Sequence, residues 1–593
     1  MTKDAFEKFW LSKSKILSWD KKPKIAIKRR PNNKNHWFPD GEINIAKNCL
    51  LNSDKIKISK KTAIITIDKN KKILRYSYQN LKNKVFNFSN YLSNFNKKKK
   101  IKNILIHSSA SIESAVSMLS CANLGIHFCV IFEDLPDDAL DIRVRLIKPD
   151  IIITRSVDKC NFFLDSIKRC GLKKTIIVNS EKKMNKKSVN FYDFKTKDKK
   201  INKFKYKSHK SNNILFTLFT SGSTGQPKGV QHSSAGYLLY SKYTSMEKFG
   251  MNKNSIVLTG SDAGWINGHT YALFSPLSIG ATTILLEKPI TLLDYNFLSS
   301  ILKREKITIL YLPVTLLRLL KGLIPENKKI TNNNLKAIGS MGEPLAESVA
   351  IWYSKLFLKK PKAVVNTYFQ TETGGIISSP KYNDNIYETA GTVGTNLNKH
   401  INFLKSKNNK FELKIINSWP GCMINIVNGD KFWKKYWDKN NFKLFDIGSY
   451  KNKKLFIHGR SDDVINIRGH RLGSGEVESK VLEIREVTEV CAIPSDNDLE
   501  GSSLVLFATI KKEKNKKKIK SLINNKIYNF FGSYALPKKI IFVEDLPKTR
   551  SGKMLRRVLK NLYENPGKKD LGDLSTIVSK KTLDKIKHIL KNG

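Results

Sequence analysis

The sequence predicts an α/β protein, because short apolar runs rich in β-branched residues alternate with helical stretches. Runs of this kind are typical of strands that a largely parallel sheet buries on both faces. They lie at 103–109, 127–133, 150–155, 174–179, 281–287 and 307–313. Amphipathic stretches at 111–125 and 296–306 fit helices between such strands. This alternation indicates a layered architecture.

The length of the chain indicates at least two domains. A chain of 593 residues is too long for one ordinary hydrophobic core. A smaller segment begins near Arg460 and mixes short strands, such as 505–510, with helices. We therefore expect domains at 1–459 and 460–593, and no internal repeat is evident.

The charge of the chain raises the question of a polyanionic partner. Lys and Arg number 107 against 51 Asp and Glu, which gives a formal net charge of +56. Such an excess normally suggests nucleic acid or an acidic membrane surface. The lysines are scattered, however, and runs such as 96–100, 180–188 and 511–518 read as solvated loops and helix faces. We expect salt-sensitive, nonspecific binding to polyanions rather than a specific nucleic-acid partner.

The cysteines and the N-terminus favour a cytoplasmic protein. The cysteines form no C-x-x-C pair and no zinc signature, which indicates reduced thiols. The N-terminus lacks the continuous apolar region of a secretory signal, and no uncharged apolar run approaches eighteen residues. We expect no membrane insertion. The seven cysteines are at 49, 121, 129, 160, 170, 422 and 491.

The stretch TSGSTGQPKG, at 220–229, follows an apolar run that reads as a strand. Its glycines allow backbone N–H groups to approach an anion, while its hydroxyls and Lys228 add donors and charge. These properties suit a polyphosphate. The stretch differs from the usual P-loop, because Pro227 intervenes and no Ser or Thr follows the lysine. From this loop alone, an ordinary structural turn stays an alternative.

The loop and five later motifs resemble those of the AMP-producing, adenylate-forming acyl-CoA synthetases, in the same order. Three further segments resemble the acetyl- and propionyl-CoA synthetase branch, so the resemblance covers nearly the whole chain. The five motifs are at 342–344, 368–375, 445–448, 459–478 and 546–557. The three segments are at 37–50, 262–287 and 571–577.

The resemblance implies a two-step reaction that uses ATP, Mg²⁺ and coenzyme A. A small carboxylic acid attacks the α-phosphate of ATP to form an acyl-AMP, and the thiol of coenzyme A then displaces AMP. The implied fold is a large N-terminal adenylate-forming domain, with a branch-specific region at 1–60, and a smaller mobile α+β C-terminal lid domain. Both steps gather negative charge, so fixed donors and cations are the main requirement.

The resemblance also implies roles for residues of the first step. Lys553 would bridge the carboxylate and the α-phosphate, Thr371 would contact that phosphate, and Glu372 would bind Mg²⁺. Asp446 would accept hydrogen bonds from the ribose, and Arg460 would steady ribose or phosphate oxygens. The phosphate loop would comprise Thr220, Ser221, Gly222, Ser223, Thr224, Gly225 and Lys228. The other implied nucleotide contacts are Gly342, Glu343, Pro344, Tyr368, Gln370 and Arg471.

For the second step, the resemblance implies a hinge at Asp462 and a thiol tunnel that includes Arg468 and Gly469. Arg468 stands where the acetate branch usually has a small residue. The basic residues that grip the 3′-phosphate of coenzyme A in that branch are not evident at 154–163 or 525–530. Delivery of the acyl group to a carrier protein therefore stays open as an alternative.

The implied acyl pocket comprises Ile266, Asn267, Met341 and Phe369. Phe369 replaces a tryptophan that closes the pocket of acetate enzymes, whereas Ile266 and Met341 are larger than their usual counterparts. We expect an acid of two to four carbons, and Asn267 suggests an acid with a polar substituent. Two more departures lie near the nucleotide: Asn366 replaces an aspartate and Phe445 replaces a glycine. Phe445 directly precedes Asp446.

Overall fold

Eight strands form sheet A, and six of them run parallel to one another. The last two strands continue the sheet antiparallel, and the first of these follows the loop of residues 221–227. In sheet order the strands are Ser188–Asn190, Ile176–Asn179, Ile151–Thr154, Asn103–His107, His127–Ile131, Ile214–Thr220, Lys228–Ser233 and Asn425–Val427.

Seven strands form sheet B, in which only the last pair is antiparallel. In both sheets the parallel strands whose side chains are described are largely buried, as their continuous apolar runs require. In sheet order the strands are Val364–Asn366, Ala337–Met341, Ile309–Pro313, Ile256–Thr259, Thr282–Leu286, Thr62–Ile67 and Ile73–Ser77. The expected α/β fold with largely parallel sheets is confirmed.

Helices connect and flank these strands. The helix Ile112–Leu124 shows how the local sequence sets its ends: Ser111 forms a capping box with Ser114, and Gly125 ends the helix at a φ of +67°. The other helices of this region are Lys3–Ser14, Ile45–Leu50, Tyr78–Lys98, Asp137–Ile147, Asp158–Arg169, Ser234–Phe249, Ile266–His269, Ser275–Ile279, Tyr295–Arg304, Val314–Leu323, Glu347–Phe357, Ile386–Thr389 and Asp430–Lys435.

Two antiparallel sheets follow toward the C-terminus. Sheet C contains Phe411–Ile416, Asn441–Lys451, Trp437–Asp438 and Lys454–Arg460. Sheet D contains His470–Gly473, Val464–Ile467, Gly501–Ile510 and Val487–Asn497, with Lys539–Phe542 joined in parallel. Its helices are Ser474–Val481, Lys516–Phe531, Arg556–Glu564 and Lys580–Asn592. Sheet D and its helices form the smaller α+β part.

This computed structural model describes most of the chain. The described residues are 2–50, 59–98, 100–172, 176–179, 188–190, 205–220, 227–325, 328–330, 332–396, 403, 411–427, 429–461, 464–467, 470–497, 501–511, 515–549, 554–567, 571, 574 and 577–592. None of the helices in these ranges is both long enough and apolar enough to cross a bilayer.

Among the described residues of the large α/β part, three histidines are fully buried. His107 lies on sheet A, His232 on the strand after the glycine-rich loop, and His269 at the end of a short helix. Burial lowers the pKa of His107 and of His232 to about 4, and that of His269 to about 3. All three imidazoles are therefore neutral at physiological pH.

We expect the protein to lose stability as the pH falls from about 6.5 to about 4. In that range the unfolded chain binds protons at these histidines and the folded chain does not, so protonation favours unfolding. Each histidine contributes roughly 3 kcal/mol over the range. Melting temperatures measured at pH 7.5, 6.5, 5.5 and 4.5 should fall less steeply for His107→Gln. The matched variant at an exposed histidine, His588→Gln, should keep the full slope, and equal slopes for all three proteins would refute the account.

Candidate active site

The ends of the glycine-rich loop lie side by side on sheet A. Thr220 pairs with Lys228 across the antiparallel hairpin. The Lys228 ammonium lies 5.0 Å from the ring centroid of Phe432 and 5.5 Å from that of Tyr436, distances at which a cation is attracted to an aromatic face. The remaining predicted loop residues, Ser221, Gly222, Ser223, Thr224 and Gly225, lie outside the described residues.

A single 3₁₀ turn, Thr371–Thr373, holds the predicted metal-binding carboxylate. Gly374 ends the turn at a φ of +69°, and a Cβ there would lie 2.1 Å from the carbonyl oxygen of Gly421. The backbone N–H of Gln370 donates to Thr373 Oγ1 at 2.9 Å. Only glycine at position 374 therefore permits this turn at this place.

The carboxylate of Glu372 is almost buried and is held by a tyrosine. Its side chain is 9% exposed, and the Tyr436 hydroxyl donates a 2.5 Å hydrogen bond to Oε1. Burial and the charge of Glu372 raise the pKa of Tyr436 far above its usual range. The phenol thus stays protonated and keeps donating. Sequence analysis did not identify Tyr436, which belongs to none of the quoted motifs.

A buried histidine fixes the backbone of the same turn. His232 Nε2 lies 2.7 Å from the carbonyl oxygen of Thr371. Because the carbonyl can only accept, Nε2 carries the proton and donates. The low pKa of His232, about 4 from burial, means that this donor is a neutral ring. His232 is a second residue that sequence analysis missed, although it closely follows the glycine-rich loop.

Asp446 lies at the centre of a second hydrogen-bond network. Its Oδ2 accepts 2.6 Å hydrogen bonds from the Tyr368 hydroxyl and from Gln370 Nε2. Its Oδ1 lies 3.7 Å from Arg460 Nη1, which comes from the paired strand of sheet C. Four predicted site residues from three chain segments therefore meet at one carboxylate.

Phe445, directly before Asp446, has an unusual backbone. Its φ is +56°, a left-handed conformation that costs a non-glycine residue roughly 1 kcal/mol or more. The ring packs edge-on against Tyr436, 5.3 Å between centroids, and lies 5.7 Å from the Arg460 guanidinium carbon. The glycine that the resemblance implies at this position would adopt this φ without strain. Phe445 has the strained backbone but gains the two ring contacts.

Residues Gly342, Glu343 and Pro344 follow directly after a strand of sheet B. Gly342 has a φ of +92°, and Glu343 Oε2 accepts a 2.6 Å hydrogen bond from Arg318 Nη1. Arg318, on the helix Val314–Leu323, belongs to none of the motifs and was not predicted. The loop is thus held by a charged pair of which each side chain is only 12 to 15% exposed.

One cavity of about 1720 Å³ brings the described candidate residues together. Thr549 and Met554, from the smaller C-terminal part, line the same cavity. The predicted residues in its wall are Thr220, Lys228, Ile266, Asn267, Met341, Gly342, Glu343, Pro344, Tyr368, Phe369, Gln370, Thr371, Glu372, Asp446 and Arg460.

The remaining predicted residues lie wholly, or with their side chains, outside the described part of the chain. Arg471 pairs with Asn466 in sheet D through its backbone, and its side chain is outside the description. Asp462, Arg468, Gly469 and Lys553 lie outside the described residues. Just beyond Lys553, Met554 forms an isolated antiparallel bridge with Lys548.

The donor set fits the Mg²⁺ that the motifs imply. Across the described ranges no three or more His, Cys, Asp or Glu side chains gather in the manner of a protein-only metal cage. Mg²⁺ is commonly bound by one or two carboxylates together with substrate phosphates. The single carboxylate of Glu372 fits that type of site. Tyr436, which donates to it, also lies beside the Lys228 ammonium.

Three family descriptions match the chain. The AMP-binding enzyme family matches residues 57–408, the AMP-binding enzyme C-terminal domain matches 476–553, and the acetyl-coenzyme A synthetase N-terminus matches 2–49. Together these three matches lie between the second residue and Lys553.

Relatives agree over almost the full length. The acetyl-coenzyme A synthetase of Bradyrhizobium diazoefficiens is 31% identical over 97% of this chain and 93% of its own. The enzyme of the same name from Leptospira biflexa is 31% identical over 96% and 92%. In fold, acetoacetyl-CoA synthetase from Streptomyces lividans is similar with a TM-score of 0.82 at 16% identity, over 99% of this chain and 92% of that one. The chain therefore belongs to the AMP-binding enzyme family and carries the N-terminal region of acetyl-coenzyme A synthetases.

Proposed function

We propose that the protein is an AMP-forming short-chain acyl-CoA synthetase. It joins a two- to four-carbon acid, such as acetate or propionate, to coenzyme A and converts ATP to AMP and pyrophosphate. Near full-length similarity to acetyl-coenzyme A synthetases supports the reaction. The cavity that gathers Lys228, Glu372, Asp446 and the acyl-pocket residues is the observation that carries it. We further propose a cytoplasmic location and domains at 1–459 and 460–593.

In the first step, a carboxylate oxygen of the acid forms a bond to the α-phosphorus, and the bond to pyrophosphate breaks. Residues 220–228 hold the β- and γ-phosphates, and Thr371 contacts the α-phosphate. Glu372 would bind Mg²⁺, whose charge offsets that of the phosphates. Lys553 contributes a cation where charge develops on the carboxylate and the α-phosphate.

The nucleoside is held by groups that are already fixed. Tyr368 and Gln370 occupy Oδ2 of Asp446, which orients the carboxylate for ribose hydroxyls. Arg460, beside Oδ1, would steady ribose or phosphate oxygens. The segment 342–344 flanks the adenine, where Gly342 leaves room because it has no side chain. Preorganised donors of this kind need little rearrangement during the reaction.

In the second step, the thiol attacks the acyl carbon and AMP leaves. The C-terminal domain would rotate about Asp462, so that Arg468 and Gly469 line the thiol tunnel. A hinge of a few residues can absorb such a change. Because different residues serve the two steps, a mutation can impair one half-reaction and leave the other.

One observation favours a different acyl acceptor, a carrier-protein phosphopantetheine. The Arg155 guanidinium, in the 154–163 stretch, lies 3.5 to 3.8 Å from the carboxylates of Glu113, Glu133 and Glu287. Three carboxylates around one guanidinium offset its charge, so Arg155 is a poor ligand for a 3′-phosphate. An acceptor that lacks this phosphate would not need the contact.

A panel of acids tests the proposal and its alternative. We expect small acids to drive exchange of labelled pyrophosphate into ATP, and coenzyme A to speed AMP release. Exchange without any acceleration by coenzyme A would favour the carrier-protein acceptor. Exchange only with long-chain or aromatic acids, or with no acid, would refute the proposal.

Replacing Lys553 should separate the two half-reactions. Lys553→Gln removes the cation from the first step, so acid-dependent pyrophosphate exchange should fall by about 100-fold or more. Thioester formation from supplied acyl-AMP should fall much less. Lys538→Gln, at an exposed lysine, is the matched control and should retain exchange. Equal losses in both half-reactions would contradict the assigned role.

Replacing Tyr436 should weaken the metal site without removing its carboxylate. Tyr436→Phe deletes the 2.5 Å hydrogen bond to Glu372, and a bond to a charged group is worth roughly a 10- to 100-fold change. We expect a loss of that size in kcat/KM for ATP, with a higher Mg²⁺ concentration needed for half-maximal exchange. Tyr528→Phe, at a 55% exposed tyrosine, should leave both values unchanged. An unaltered Mg²⁺ dependence in the Tyr436 variant would count against Glu372 as the ligand.

A further inference from the structure

Asn267 is a buried amide in the wall of the cavity. It is the second residue of the short helix Ile266–His269 and is only 4% exposed. Neither its Nδ2 nor its Oδ1 has a hydrogen-bond partner within the described part of the chain. A primary amide offers two donors and two acceptor positions. Asn267 thus lines the cavity with an amide that is buried and unpaired at both ends.

Other buried asparagine side chains in the described part of the chain have hydrogen-bond partners at both ends of the amide. Asn366, in the same cavity wall, donates from Nδ2 to the Thr392 carbonyl at 2.9 Å and accepts from Ser340 Oγ at 3.0 Å. Asn332, a buried amide elsewhere in the chain, likewise uses both ends. A buried polar group without a partner is costly, so an unpaired amide in a cavity wall is a candidate contact for a bound molecule.

The other residues of the implied acyl pocket restrict that ligand. Ile266, Met341 and Phe369 line the same cavity and are apolar. A second carboxylate on the acid would need a cation, and an ammonium group would need an anion, whereas these side chains offer neither. A hydroxyl both donates and accepts, so it matches an amide that is unpaired at both ends. A plain alkyl acid would bury the amide without satisfying it.

We infer that the preferred acid is a two- to four-carbon hydroxy acid whose hydroxyl exchanges hydrogen bonds with Asn267. The inference rests on the proposed function and specifies its substrate class. Pockets that differ by one methylene discriminate weakly, whereas a pocket built to hydrogen-bond a hydroxyl strongly rejects the analogue that lacks it. The amide therefore acts as a specificity determinant beside apolar walls that set only size.

Matched pairs of acids test the inference. Lactate against propionate, and glycolate against acetate, differ in each case by one hydroxyl. For the full-length protein we expect kcat/KM in pyrophosphate exchange to favour the hydroxy acid of at least one pair by roughly tenfold or more. Asn267→Leu, similar in size but without hydrogen-bonding atoms, should bring that ratio to about one or below, mainly through loss of activity on the hydroxy acid.

A control variant separates polarity from shape. Met341→Leu alters the apolar wall and should keep the preference for the hydroxyl, even where it changes absolute rates. A wild-type preference for acetate or propionate over both hydroxy acids would overturn the inference while leaving the proposed function standing. An Asn267→Leu variant that keeps the wild-type ratio would overturn it as well. Absence of exchange with any acid would overturn the proposed function together with this inference.

Discussion

The carbonyl oxygen of Gly421 occupies the space in which a side chain at position 374 would begin, and the site depends on this contact. The turn that carries Thr371 and Glu372 can pack here only because residue 374 is glycine with a positive φ. Gly421 is confined in turn, since a Cβ on it would lie 2.3 Å from the Tyr240 ring. The turn Thr371–Thr373 is thereby set against the buried helix Ser234–Phe249, which carries Tyr240.

Much of the fold could be predicted from the sequence, because strands buried on both faces leave continuous apolar runs. The runs at 103–109 and 307–313 became the strands Asn103–His107 and Ile309–Pro313. The candidate turn and Asp446 were found because each lies within an ordered motif. Tyr436 and Arg318 were not found. They act across 64 and 25 positions respectively, and a single long-range hydrogen bond has no periodicity to detect.

The departures from the family pattern turn out to have different physical characters. Asn366, where the resemblance implies an aspartate, has both ends of its amide hydrogen-bonded, to Ser340 in sheet B and to Thr392 in a neighbouring loop. Phe445, where the resemblance implies a glycine, has a left-handed backbone that glycine adopts without strain, and its ring contacts Tyr436 and Arg460. Neither backbone conformation nor hydrogen-bond satisfaction is readable from residue identity, which is why the sequence could identify these positions but not interpret them.

Lys228 rests near two aromatic rings, Phe432 and Tyr436. The Lys228 ammonium is already attracted to the faces of these rings. An anion that binds Lys228 must therefore outweigh that attraction. A stray chloride or acetate ion offers one weak charge in exchange, whereas a nucleoside triphosphate offers several at once. The attraction of Lys228 to the rings is therefore offset more readily by a ligand that carries several negative charges than by a singly charged ion.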